Sequence, residues 1–156
     1  MRRGSRSLHL VAIGRDGRVT EPLGSTTPQV ENVTEMTVKM YDERGFTPPW
    51  IGYFALLNAV VVGICAFPFA AKNGCVEIAY FTFPEYEGRG IATMMARQLI
   101  AIAHAADTAV FAHTLPQPNA STTILERLGF VFAGTDDHEN GPLWRWELRS
   151  GLVTTQ

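Results

Sequence analysis

Residues 84–92 read Pro-Glu-Tyr-Glu-Gly-Arg-Gly-Ile-Ala and stand between a segment typical of a strand and one typical of a helix. Gly88 and Gly90 allow the backbone to turn tightly and to approach a ligand closely. The helix predicted to begin near Ile91 directs its first N–H groups and the positive end of its dipole at this loop. Such a site suits phosphate or pyrophosphate.

Two other interpretations compete for the same loop, and a third is excluded. A glycine-containing turn without a ligand accounts for two glycines alone. A dinucleotide-binding fingerprint also begins Gly-x-Gly, but Thr93 stands where its third glycine is expected. Its acidic residue is expected beyond the next strand, whereas Asp107 lies before it. A Walker loop is excluded because no Gly-Lys-Ser/Thr sequence follows.

The segments on either side of the loop predict alternating strands and helices. Strands are predicted at 8–13, 75–83, 108–114, 131–133 and 143–148, with a buried hairpin of 50–57 and 60–67. Helices are predicted from 28 to 44, from 91 to 106 and from 119 to 128. Residues 18–23 are a short strand or a loop, and 135–141 an acidic loop. We expect one mixed α/β domain over residues 8–150, preceded by a flexible tail of residues 1–7.

Three motifs, at residues 76–80, 84–92 and 119–130, resemble in order and spacing those of the GNAT superfamily of N-acetyltransferases. Residues 84–92 resemble its acetyl-CoA signature Gln/Arg-x-x-Gly-x-Gly/Ala, with Glu87 in the Gln/Arg position. Residues 76–80, Val-Glu-Ile-Ala-Tyr, are similar to the preceding strand in the ribosomal-protein N-terminal acetyltransferase branch. Residues 119–130 resemble that branch's Asn-x-x-Ser helix ending in Leu-Gly-Phe, with the asparagine shifted by one. The resemblance spans residues 50–148.

This resemblance implies a mixed, mainly antiparallel sheet flanked by helices and splayed at the acetyl-CoA site. It implies that acetyl-CoA is the cosubstrate and that a primary amine attacks the thioester directly, without a metal. The residues implied to contact the cofactor are Phe81, Thr82, Phe83, Gly88, Arg89, Gly90, Ile91, Ala92, Thr93 and Asn119. A non-catalytic acyl-CoA-binding module is the alternative, and a nucleotide-binding oxidoreductase is a more distant one.

Two residues are candidates for catalysis. A carboxylate within an apolar strand is unusual, and burial disfavours its charged form, so Glu77 is a candidate general base. The alternative is a solvated glutamate at a sheet edge. The resemblance implies that Ser121 protonates or positions the departing thiol, while the alternative is a serine that caps its helix. His113 stands near the end of its strand and is interpreted as a satisfied core or edge histidine.

Composition narrows the class of partner. The net charge of −2 and the pI of about 6.1 give no general attraction to nucleic acid or anionic membrane. The uncharged run 50–71 is long enough to span a bilayer, but Asn58 and Pro68 favour the buried hairpin. The two cysteines form no metal spacing, which favours a reduced, cytoplasmic chain. We also expect a small-molecule or peptide amine as acceptor, basic or neutral in view of the acidic loop, and consider a homodimer.

Overall fold

Two four-stranded sheets, which meet where one run of chain passes from the second to the first, form the framework of the molecule. The computed structural model describes residues 7–24 and 26–149. In chain order the elements are β1 (Leu8–Ala12), α1 (Pro28–Arg44), β2 (Gly52–Leu57), β3 (Val60–Ala66), β4 (Cys75–Glu77), β5 (Ala79–Thr82), a 3₁₀ helix (Pro84–Tyr86), α2 (Ile91–Ala105), β6 (Ala109–Thr114), α3 (Ala120–Arg127), β7 (Phe130–His138) and β8 (Gly141–Leu148).

The strand order is β1-β2-β3-β5 in the first sheet and β4-β6-β8-β7 in the second. All pairs are antiparallel except β4 with β6. This confirms the predicted mixed, mainly antiparallel α/β fold. The predicted tail lies outside the described residues except for residue 7, and so does residue 150 at the predicted domain end.

Helix α1 has the predicted beginning and end. Its N-cap is Thr27, whose Oγ1 accepts a hydrogen bond from the N–H of Val30 at 3.1 Å. Tyr41, on the buried side of α1, anchors the helix to the first sheet. Its hydroxyl donates to the carbonyl of Ile13 at 2.8 Å and accepts from the N–H of Gly52 at 2.9 Å. Residues 18–23, predicted as a strand or a loop, are a loop.

The uncharged run of residues 50–71 contributes the hairpin of β2 and β3. Asn58 and Ala59 at its turn both have positive φ, 54° and 65°, which matches the right-handed twist of the strands. The prediction of a buried hairpin is therefore confirmed, and the alternative of a membrane helix over this run is wrong. None of the helices found in residues 7–24 and 26–149 has the length and apolarity that a membrane span requires.

The prediction of one continuous strand over residues 75–83 is wrong. The chain leaves the second sheet after Glu77 and joins the first sheet at Ala79. Ile78, at the break, is 2% exposed, and its N–H still bonds to the carbonyl of Phe111 at 2.9 Å. A run of apolar residues does not encode such a break, because each half is a good strand in its own sheet.

The prediction of an acidic loop at residues 135–141 is also wrong. Strand β7 continues to His138, and a two-residue turn, Glu139-Asn140, leads into β8. A register shift between Phe132 and Gly134 interrupts the alternation of side chains. Aspartates are depleted in strands, so sequence composition favoured a loop. The carboxylate of Asp136 instead reaches across β8 to contact His113 on β6.

Candidate active site

The two sheets part immediately after Glu77. Strand β4 pairs with β6 only over Ala109–Phe111, whereas residues 112–114 of β6 continue beside β8. Strand β5 pairs with β3 and is the edge strand of the first sheet. The edges of β5 and of residues 112–114 therefore border a wedge, which we call the cleft. Strand edges of this kind offer backbone hydrogen bonds to an extended ligand.

The loop before α2 forms an open cradle at its N-terminus. Gly88 and Gly90 have positive φ, 79° and 77°. A Cβ placed on either glycine would meet no atom within 4 Å, so the space above the loop is open. The N-cap Gly90 has no side chain to satisfy the first amides of α2. The backbone N–H groups at Ile91, Ala92 and Thr93 thus suit a phosphate, which the predicted role requires.

The three residues before Pro84 differ in what they could contribute. Phe81 is 52% exposed at the edge strand, while the side chain of Phe83 is buried in the core. The hydroxyl of Thr82 is buried and has no hydrogen-bond partner among the residues that the structure describes. Because a buried polar atom without a partner is costly, Thr82 fits a site whose ligand supplies the partner. Arg89 is exposed, with its guanidinium 5.7 Å from the Tyr86 ring centre.

Asn119 and Thr122 form a capping box at the beginning of α3. Asn119 Oδ1 accepts from the N–H of Thr122 at 3.0 Å, and Thr122 Oγ1 accepts from the N–H of Asn119 at 2.9 Å. The capping function that was the alternative for Ser121 thus belongs to these two residues. Ser121 is half-buried in the first turn of α3. Its hydroxyl is not part of the capping box and remains a candidate for a contact to the leaving group.

Glu77, His113 and Asp136 form one hydrogen-bonded line, which we call the carboxylate–histidine network. His113 Nδ1 lies 3.0 Å from Glu77 Oε2, and His113 Nε2 lies 2.9 Å from Asp136 Oδ2. The side chains of His113 and Glu77 are 10% and 18% exposed, and that of Asp136 is 42% exposed. If both carboxylates are ionised, both contacts are hydrogen bonds only when each ring nitrogen carries a proton.

The network's side chains come from β4, β6 and β7, and they lie on the face of the second sheet turned away from Trp146 and the core. Glu77 lies beside Phe111 across the β4–β6 pair, His113 follows on the same face of β6, and Arg145 lies opposite His113 on β8. The Arg145 guanidinium stacks 3.8 Å over the Phe111 ring centre and bonds to Glu147 at 2.8 Å. From the sequence, His113 was interpreted as a core or edge histidine, Asp136 as part of an acidic loop that attracts the acceptor, and Arg145 was given no role. The alternation along β6, with Phe111 and His113 on one face, is the signal that could have indicated His113.

The pKa of the Asp136 carboxyl is held below its usual value. The hydrogen bond with His113 is the largest cause, and partial desolvation opposes it. Electrostatic interactions with His113, Arg145 and His138 lower the pKa of Asp136 further. The ionised form of Asp136 is therefore favoured by the folded state.

We expect the Asp136→Asn variant to be less stable than the parent at neutral pH. A folded-state pKa below the unfolded value gives stability that is present above the unfolded pKa and lost as pH falls through the folded pKa. The difference in Tm should therefore shrink as the solution is acidified through that range. Thermal melts over a pH series measure it, with exposed Asp137→Asn as the matched control. Equal Tm values at neutral pH would show that the contact contributes nothing.

His138 extends the network. Its ring lies edge-on to His113, with centroids 4.8 Å apart. Ligand-type atoms of His113, Asp136 and His138 lie within 4.8 Å of one another, although the sequence contains no spacing that indicates a cluster. Both ring nitrogens of His113 already contact carboxylate oxygens, so we describe the group as a hydrogen-bond network and assign it no metal.

Comparisons with known proteins agree with this geometry. The family model described as "Acetyltransferase (GNAT) domain" matches residues 7–131. The spermidine N-acetyltransferase SpeG chimera from Vibrio cholerae and hSSAT has a TM-score of 0.67 and 14% identity, covering 92% of this chain and 95% of that one. RimL, a ribosomal L7/L12 alpha-N-protein acetyltransferase, has a TM-score of 0.63 and 14% identity, covering 92% and 90%.

A third structure was solved with a ligand. The yncA protein from Salmonella typhimurium, with its cofactor acetyl-CoA, has a TM-score of 0.62 and 19% identity, covering 78% of this chain and 76% of that one. At such identities these likenesses establish the fold alone. No curated protein matches the chain.

Proposed function

Since the chain belongs to the GNAT family of acetyl-CoA-dependent N-acetyltransferases, we propose that it acetylates a primary amine with Glu77 as the general base. Acetyl-CoA is the cosubstrate of this family. We propose that the 88–93 loop holds its pyrophosphate and that its thioester arm lies in the cleft. The orphaned hydroxyl of Thr82 and the unobstructed glycine cradle support this arrangement.

One observation carries the assignment of the base. Glu77 is the last residue of β4, immediately before the two sheets part, and one of its oxygens is held by His113. A carboxylate fixed in this way can present its second oxygen, Oε1, toward the mouth of the cleft. An amine must lose a proton before it attacks a thioester, and Oε1 or a water bound to it accepts that proton. His113 is then a positioning residue, because it orients Glu77 without touching the substrate.

The later steps need two further groups. The tetrahedral intermediate requires a donor for its oxyanion, and backbone N–H groups on the cleft edge of β5 are candidates. The departing thiolate is stabilised by a proton, which in this proposal passes from water through the Ser121 hydroxyl, so that the hydroxyl is restored in the same step. Asn119 contributes by fixing the N-terminus of α3, and thereby the position of Ser121.

A non-catalytic acyl-CoA-binding module is the second candidate. Such a module needs the 88–93 loop but has no use for a held carboxylate at the mouth of the cleft. The carboxylate–histidine network therefore favours an enzyme over a binder. Cytoplasmic location and a homodimer remain predictions.

The test of the proposed function is a panel of amines incubated with acetyl-CoA. It is read by released thiol and by the mass of the acetylated product. We expect at least one amine class to give product at a rate above hydrolysis of acetyl-CoA alone. Binding of CoA without product from any amine would support the binding module instead.

A further inference from the structure

A second recess lies on the Glu77 side of the second sheet, away from the 88–93 loop. It is a cavity of about 400 Å³, which is within the range of small-molecule sites. Its lining includes Phe69, Lys72, Cys75, Glu77, Phe111 and Arg145. Cys75 and Glu77 alternate with buried Val76 and therefore share one face of β4. Glu77 thus connects this cavity, which we call the acceptor cavity, to the mouth of the cleft.

The lining of the acceptor cavity contains charged side chains of both signs. Glu77 is the single carboxylate in the lining. Lys72 also lines the cavity and forms an isolated bridge with Cys75. Arg44 lies outside the lining, where it stacks 4.2 Å over the Phe69 ring centre and donates to the carbonyl of Pro68. Within the part of the chain that the structure describes, neither Lys72 nor Arg44 forms an ion pair, whereas Arg145 is paired with Glu147. Among the described residues, the lining therefore holds one carboxylate, Glu77, and one cation without an ion-pair partner, Lys72.

We propose that this cavity binds the acceptor and that the acceptor carries a carboxylate as well as its amine. The inference rests on the proposed function, since it takes Glu77 as the base that receives the amine's proton. The amine lies at Glu77, an apolar middle contacts Phe69 and Phe111, and the carboxylate lies at Lys72. A polyamine fits less well, because its second ammonium would meet Lys72. This class is narrower than the basic or neutral amine expected from the acidic segment 135–141, whose Asp136 is engaged by His113.

The chain provides its own probe of the location. It contains two cysteines, of which Cys65 is 2% exposed, and burial raises the pKa of its thiol far above the usual value. A maleimide should therefore label Cys75, which lines the acceptor cavity. We expect labelled protein to retain CoA affinity but to lose at least about 90% of acetyl transfer, since the adduct fills the cavity. Bound acceptor should slow the labelling of Cys75. The Cys75→Ser variant should acetylate at the same rate before and after maleimide treatment.

The chemical class is tested with matched acceptors. Straight-chain amino acids with terminal amine and carboxylate are compared with diamines and monoamines of the same chain lengths. We expect the amino acids to have kcat/KM values about tenfold above those of the diamines. Lys72→Gln should raise KM for the amino acids and thereby lower their kcat/KM about fivefold or more. The kcat/KM for the monoamines should not change. The second lysine, Lys39, is exposed on α1, and Lys39→Gln is the matched control.

The outcomes separate this inference from the proposed function. Acetylation of diamines in preference to amino acids, or equal effects of Lys72→Gln on every acceptor, overturns the carboxylate-bearing class. Full transfer by the Cys75-labelled protein overturns the cavity as the acceptor site. Absence of transfer to any amine by the unlabelled parent overturns the proposed function itself, and the inference with it.

Discussion

Replacing Gly90 with valine is expected to abolish binding of CoA and acetyl-CoA. Gly90 has φ of 77° and is the N-cap of α2, so its Cα borders the amides proposed to hold the pyrophosphate. No protein atom lies within 4 Å of a Cβ at this position, and the valine side chain would therefore occupy the ligand's space. Positive φ costs valine about 1–2 kcal/mol, which a stable domain tolerates. Thermal shift and equilibrium titration with CoA measure the effect.

The matched control is Gly74→Val. Gly74 has φ of 79°, and a Cβ there also meets no atom within 4 Å. The two variants thus carry similar backbone strain, but only Gly90 lies at the cradle. For Gly74→Val, CoA at about 100 times its Kd should still stabilise the fold by about 2.7 kcal/mol. Equal CoA stabilisation of the parent and of Gly90→Val would place the pyrophosphate elsewhere.

Replacing Glu77 with glutamine is expected to lower kcat by about 100-fold or more. The amide keeps the shape of the side chain, and its carbonyl oxygen can still accept a hydrogen bond from His113. It cannot accept a proton from the ammonium group, so the acid limb of the pH–rate profile should flatten. Affinity for CoA should hardly change, because Glu77 lies on the side of the cleft away from the 88–93 loop. Steady-state rates over a pH series, with parallel CoA titrations, measure both.

Glu126→Gln is the control for this change. Glu126 is exposed on α3, and its replacement by glutamine removes the same charge from the chain. Its kcat should equal that of the parent. If Glu77→Gln turns over at the parent rate, Glu77 is structural and water alone removes the proton from the amine. The His113→Asn variant gives an intermediate test, because a positioning residue should alter the pH profile more than CoA affinity.

The helices and the hairpin could be predicted because their signals are local. Thr27 and Asn119 act as N-caps through their own side chains, and Asn58-Ala59 forms the turn between two apolar runs. The break at Ile78 could not be predicted, because it depends on which sheet each half of the segment joins. The same holds for β7, where the pairing of Asp136 and Asp137 with β8 overrides their low strand propensity.

The residues of the candidate site likewise include some that could be predicted from the sequence and some that could not. Gly88, Gly90 and the beginning of α2 are adjacent in sequence, so an anion site was recognisable from their order. Glu77 was recognisable as a carboxylate in an apolar strand. Its partners were not, because His113 and Asp136 come from β6 and β7 and meet it only after the second sheet has formed. The lining of the acceptor cavity likewise depends on contacts between distant segments, such as Arg145 of β8 over Phe111 of β6.

Backbone hydrogen exchange with and without CoA tests the central claim most directly, because it reports where the cofactor lies. The amides of residues 88–93 have no helical acceptor at the beginning of α2 and should exchange quickly in the unliganded protein. We predict that CoA slows exchange at 88–93 and along β5, with little change in residues 69–75 of the acceptor cavity. Protection of 69–75 with unchanged exchange at 88–93 would contradict the proposed arrangement of cofactor and acceptor.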